Sequence, residues 1–135
     1  MKPLLIFFVL LAGPTVLCAC SKEVSVPIKE YQKLPDANTA LFKEGWRPRE
    51  TELKTADGEL WRSVAMAGDL FKDGYRGVEI CAGTGLSPCV FNYANEKGDC
   101  LRIITQGMYD KKAGDFPGVV SWSFKCPGKE FGGYQ

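Results

Sequence analysis

Histidine is absent from all 135 residues. That removes the commonest general base, the usual partner of a Ser or Cys nucleophile and the commonest zinc ligand. An excess of charge of one sign is missing too: the formal net charge is +1 and the charges are interspersed. Nothing therefore predicts the salt-dependent attraction that a polyphosphate backbone demands, and nucleic acid is not an expected partner. Long apolar runs are lacking. The longest, Leu4 to Leu11, is too short to cross a hydrocarbon core of ~30 Å, and Gly13-Pro14 interrupts any helix extending it. There is no C-x-x-C spacing for dithiol chemistry, no paired Cys/His set for structural zinc, and no internal repeat. Cys81-Ala82-Gly83-Thr84-Gly85 contains a G-x-G, but it lacks the third Gly of a dinucleotide fingerprint and the Gly-Lys-Ser/Thr of a phosphate loop. No cofactor and no metal is implied.

What is present has the composition of one globular domain, 45% hydrophobic and 24% charged. The chain opens with Lys2, the apolar run and a small-residue region at Ala12-Gly13, the three-part layout of a secretory signal peptide. It leads into Leu17-Cys18-Ala19-Cys20-Ser21. At these residues the sequence resembles the lipobox of bacterial lipoproteins, with Cys18 in the tolerant position. The resemblance implies a signal peptide over 1–19, a diacylated Cys20 as first mature residue, and anchoring in the bacterial cell envelope. Ser21 after the cysteine resembles the outer-membrane sorting choice. The alternative is ordinary cleavage after Ala19, leaving Cys20 a thiol.

In an oxidising compartment the remaining Cys81, Cys89, Cys100 and Cys126 are expected to form two disulfides. The strand-like runs beginning at Cys100 and ending at Cys126 bring those two residues together if paired antiparallel, with Val120 near Gln106. Cys81 and Cys89 then close the Gly- and Pro-bearing loop between them. The predicted pairs are Cys81–Cys89 and Cys100–Cys126.

The fold class expected is α+β, with one or two short helices on a small antiparallel sheet of three to four strands. A polar tether spans 20–34, a single domain 35–127, and a Gly-rich flexible tail 128–135. Pro35 to Asn38 offers caps for a first helix over Thr39 to Glu44, with Leu41 and Phe42 as core contacts, Gly45 as its stop and Trp46 as a core or boundary residue. Trp61, Val64, Ala65, Gly68 and Phe71 recur at helical spacing, predicting a second helix from about Glu59 to Lys72. A hairpin around Ala56-Asp57-Gly58 is the rival reading. Val78 to Cys81 reads as a short extended entry, Cys89–Ala94 and Cys100–Gln106 as a hairpin, and Val119–Cys126 as a further strand. A bulge in the first turn would place Phe91, Tyr93, Ile104, Trp122 and Phe124 on one face, leaving Val90, Leu101 and Ile103 on the other.

Chemistry is sparse. Glu79, Asp99, Asp110 and Asp115 are the carboxylates that would have to converge for glycosidic hydrolysis, and most sit in turns, where solvated charge is the commoner role. The loop Gly107 to Gly118 is long for a connection between strands and carries Met108, Tyr109 and Phe116 among charges. It is the candidate binding loop, with a protein or glycan of the cell envelope as the partner. Gly45-Trp46-Arg47-Pro48, Cys81 to Gly85, Cys89-Val90-Phe91 and Val120-Ser121-Trp122 resemble those of small secreted or lipid-anchored proteins of proteobacteria. That resemblance implies packing and location and supplies no activity. The expectation is a non-enzymatic binding or accessory module held to the membrane by its lipid. The alternative is a carboxylate-dependent hydrolase of envelope polymers.

Overall fold

The computed structural model describes residues 24–125. Helix α1, Leu34–Lys43, starts five residues before the expected position. Pro35 does not merely precede the helix. It occupies the first turn, where its fixed φ suits the helix and its missing N–H would have had no partner. Asp36 in the first turn and Lys43 in the last complement the helix dipole. Gly45, at φ +86°, ends the helix as expected, with its N–H donating to the Phe42 carbonyl and that of Trp46 to the Leu41 carbonyl. Leu34, Ala37 and Leu41 form the buried face, and Trp46 is buried beside them. Phe42 departs from expectation. It is exposed, with the Arg47 guanidinium 5.4 Å from its ring centre.

The packed domain begins upstream of position 35. Ile28 is buried in the core. The Tyr31 N–H donates to the Val119 carbonyl at 2.6 Å, the Val119 N–H to the Gln32 carbonyl at 2.9 Å, and Lys33 bridges Gly118 antiparallel.

The helix expected over Glu59 to Lys72 forms only at its C-terminal end, as α2, Ala65–Lys72. Before it stands a single 3₁₀ turn, Trp61–Ser63, and extended Val64 separates the two. The rival reversal is present in miniature, since Lys54 bridges Leu60 and the Thr55 N–H donates to the Glu59 carbonyl across Gly58 at φ +85°. Arg62 ties this turn to the preceding segment, donating to the Thr51 carbonyl at 2.8 Å and pairing with Glu50 at 3.3 Å. Gly68 lets the 3₁₀ turn fold down on α2: a Cβ there would stand 2.6 Å from the Ser63 carbonyl oxygen.

The sheet has five antiparallel strands, two of them short. β3, Cys89–Ala94, is central; β1, Arg47–Pro48, and β2, Val78–Cys81, lie along one edge of it. β4, Cys100–Gln106, pairs on the other edge, and β5, Gly118–Ser123, follows beyond it. The β3–β4 register runs unbroken from Cys89 opposite Thr105 to Ala94 opposite Cys100. The first turn therefore carries no bulge, and the expected face assignment changes. Phe91 and Tyr93 stand opposite Ile103 and Leu101, all four buried under the helices, while Ile104 stands opposite Val90 on the other face. One residue of register moves every side chain across the sheet. Trp122 pairs opposite Ile103 but lies at the margin, where it and Phe124 are exposed. Gly118, not Val120, stands opposite Gln106: from Arg102 to Ile104 the β4–β5 ladder is already one residue off the expected register, and the shift at Ile104/Thr105 adds a second.

The second irregularity lies in β2, whose register on β3 shifts between Val78 and Ile80, leaving Glu79 as the extra residue. Gly77 brings the backbones close at this point: the Asn92 N–H donates to the Gly77 carbonyl at 2.8 Å, and a Cβ on Gly77 would stand 2.5 Å from the Asn92 carbonyl oxygen. The bulge turns Glu79 toward Asn92 and Arg102, which face each other across β3 and β4.

Candidate functional site

Two loops meet at the end of the sheet where β2 and β4 finish. Cys81 and Cys89 stand directly opposite in the β2–β3 register and form the expected disulfide. The loop they close is held by the Ala82 N–H donating to the Pro88 carbonyl at 2.8 Å and by Gly85 at φ +63°. The neighbouring loop leaves β4 through Gly107, whose N–H donates to the Leu86 carbonyl at 2.9 Å, while the Ser87 hydroxyl donates to the Met108 sulfur at 3.4 Å. These bonds fix Leu86 and Met108 side by side. They are 67% and 66% exposed and flank an open groove of about 350 Å³ with Gly85, Ser87 and Gln106. Large apolar side chains this exposed, on backbone this constrained, form a presented surface.

The rest of the 107–118 loop is a tight reversal. Asp110 and Asp115 exchange both backbone hydrogen bonds, and Asp110 Oδ1 accepts from the Lys112 and Ala113 N–H groups at 2.9 and 3.1 Å. Tyr109 and Phe116 are half-buried and pack on each other at 5.6 Å between ring centres, with the Tyr75 ring 6.3 and 6.5 Å away. Asp73, at the C-terminal end of α2, latches the loop, accepting from the Tyr109 hydroxyl and from Lys111 Nζ at 3.0 Å. Of the three residues expected as contacts, Met108 alone is fully presented; Tyr109 and Phe116 hold the loop in place. Leu86 was concealed by its setting in a Gly- and Pro-rich turn, and only its apolar character among small residues marked it.

The latch has a pH signature. The bonds from Tyr109 and then Lys111 hold the Asp73 carboxyl below its ordinary value. Desolvation, and then the bond to Asp73, push the Tyr109 phenol above its own. A depressed carboxyl pKa contributes stability present above the unfolded value near ~4 and lost as pH falls through the folded value. A raised phenol pKa contributes stability present below the unfolded value near ~10 and lost as pH rises through the folded value. Tyr109→Phe should therefore weaken the fall of Tm at both extremes, and Asp73→Asn should do the same. Thermal melts from acid to strongly alkaline pH check this. Wild-type limbs retained in both variants would contradict it.

The carboxylates considered for hydrolysis do not all converge: Asp110 and Asp115 stand opposite each other in their own turn, whereas Glu79 and Asp99 are engaged elsewhere. Glu79 is buried, accepting from Arg102 Nη2 at 3.0 Å and from Asn92 Nδ2 at 2.8 Å. Asp99 accepts from Asn95 Nδ2 at 2.8 Å, and Asp110 caps its own turn. Among the described residues no cluster of three or more His, Cys, Asp or Glu is placed to hold a metal ion, and no helix is long and apolar enough to cross a membrane. Cys20, Cys126 and the 128–135 tail lie outside the described residues, so the lipidation site and the Cys100–Cys126 pair are not seen. The chain matches no family model, no curated protein and no solved structure.

Proposed function

We propose that this chain is a lipid-anchored protein of the bacterial cell envelope, held through Cys20, that works as a non-enzymatic module by binding another protein. The anchoring rests on the lipobox-like Leu17-Cys18-Ala19-Cys20 after a short apolar run. The binding role rests on one observation, the pair Leu86 and Met108 presented on two loops that a disulfide and backbone bonds hold rigid. Rigid presentation lowers the entropy lost on association. An unbranched thioether beside a leucine adapts to apolar protein surfaces. A glycan is the less favoured partner, because the Tyr109 and Phe116 rings that would stack on a sugar are packed on each other.

Replacing both residues, Leu86→Ser with Met108→Ser, is expected to weaken the partner by at least about tenfold while leaving Tm near wild type, because both side chains are exposed. Co-isolation from envelopes of the acylated wild type, the double variant and a Phe42→Ser control measures it. A partner retained by the double variant, or lost equally from the control, would sink the proposal.

A further inference from the structure

The end of the domain opposite the Leu86–Met108 surface carries a second exposed apolar group. Val24, Trp122 and Phe124 are 39%, 37% and 48% exposed. Val24 and Phe124 line one groove of about 270 Å³ with Gly98, Asp99 and Cys100, where β4 begins and β5 ends. The entry segment runs from Val24 at this end to the start of β5, where Tyr31 and Lys33 meet Val119 and Gly118.

Position settles the occupant. Cys20 precedes Val24 by four residues. A chain advances at most ~3.6 Å per residue, so an acylated Cys20 keeps Val24 within about 14 Å of the point where its acyl chains enter the bilayer. A valine, a tryptophan and a phenylalanine held that close to the lipid match the chemistry of the headgroup region, where aromatic rings settle between water and hydrocarbon. The charges around this end are mixed, with Lys97 and Lys125 against Glu96 and Asp99. Attraction to anionic lipid is therefore not the driving term.

We infer that this end of the domain is a membrane seat, with Val24, Trp122 and Phe124 entering the headgroup region of the bilayer that Cys20 anchors. The inference rests on the lipid anchoring proposed above and adds an orientation to it. β4 runs from this end at Cys100 to Gln106 beside Met108, and at ~3.3 Å per residue the seat holds the Leu86–Met108 surface up to about 20 Å further from the membrane.

The test uses the full mature chain, its acylation verified by intact mass, reconstituted in phosphatidylcholine vesicles with or without bromine on the upper acyl chain. Bromine quenches only nearby indoles. Trp46 is buried and Trp61 half-buried, so quenching should fall on Trp122 and disappear in Trp122→Phe, a change that keeps an aromatic ring. Quenching should be unchanged when phosphatidylglycerol is added. An acylated chain whose emission is the same in brominated and plain vesicles would overturn the membrane seat and leave the anchoring intact. A mature chain without the diacylglyceryl mass would overturn the anchoring and the seat with it.

Discussion

Arg102→Met is expected to destabilise the domain by about 3–5 kcal/mol, the range for stranding one member of a buried ion pair. Arg102 and Glu79 are 5% and 4% exposed, and the guanidinium reaches both carboxylate oxygens, Nη2 to Oε1 at 3.0 Å and Nη1 to Oε2 at 3.4 Å. Taking the guanidinium away leaves a buried carboxylate with the Asn92 amide as the one other hydrogen-bond donor described for it. Adding Glu79→Gln in the same background removes the stranded charge while a side-chain oxygen can still accept from Asn92. It should recover at least about 1–2 kcal/mol. Denaturant titrations of the three proteins measure this. A loss under about 1 kcal/mol for Arg102→Met would show that the pair lies in a far wetter setting than its burial implies.

Gly77→Ala acts on the same node through the backbone. Its new methyl would meet the Asn92 carbonyl oxygen at 2.5 Å, and neither partner is a flexible side chain that can swing aside. β2 must move off β3, which strains the bond from the Asn92 N–H to the Gly77 carbonyl and draws Glu79 away from Arg102. A loss of at least about 2–3 kcal/mol is expected, at the upper end for overpacking. Gly68→Ala meets the Ser63 carbonyl oxygen at 2.6 Å and should cost a similar amount. Gly83→Ala, with nothing within 4 Å and no left-handed φ, is the control and should stay within about 0.5 kcal/mol of wild type. Equal stability of Gly77→Ala and Gly83→Ala would contradict the packing described at β2.

The α+β class, the limits of β3 and β4, the Gly45 stop and the Cys81–Cys89 disulfide were legible because each rests on local chemistry. Apolar runs bounded by turn residues make strands, a glycine at a helix end takes the left-handed conformation, and two cysteines bracketing a Gly- and Pro-bearing loop come together. The strand faces were not legible. A bulge placed in the turn Asn95–Asp99 fits the apolar pattern as well as the irregularity actually present between β4 and β5. The Glu79–Arg102 ion pair was not legible, because the bulge and the glycine that bring the two together become meaningful only once β2 is laid on β3. At the site, the sequence marked the 107–118 loop but not the division of labour inside it. Tyr75 and Asp73, which claim Tyr109 and Phe116, lie more than thirty positions upstream. Two aromatics that read as anchors for a partner are spent on the protein's own Asp73 and Tyr75, just past α2, and Leu86 takes their place at the surface.

The proposed anchoring and binding give the sheet a polarity, with one end at the lipid and the other at the partner. Site-specific photo-crosslinking in intact envelopes tests it most directly, with a photoreactive residue placed in turn at Met108, at Trp122 and at Thr39 on α1. The prediction is a discrete protein adduct from position 108, lipid adducts from position 122, and neither from position 39. Protein adducts of the same mass from 108 and 39, or none from 108, would contradict it.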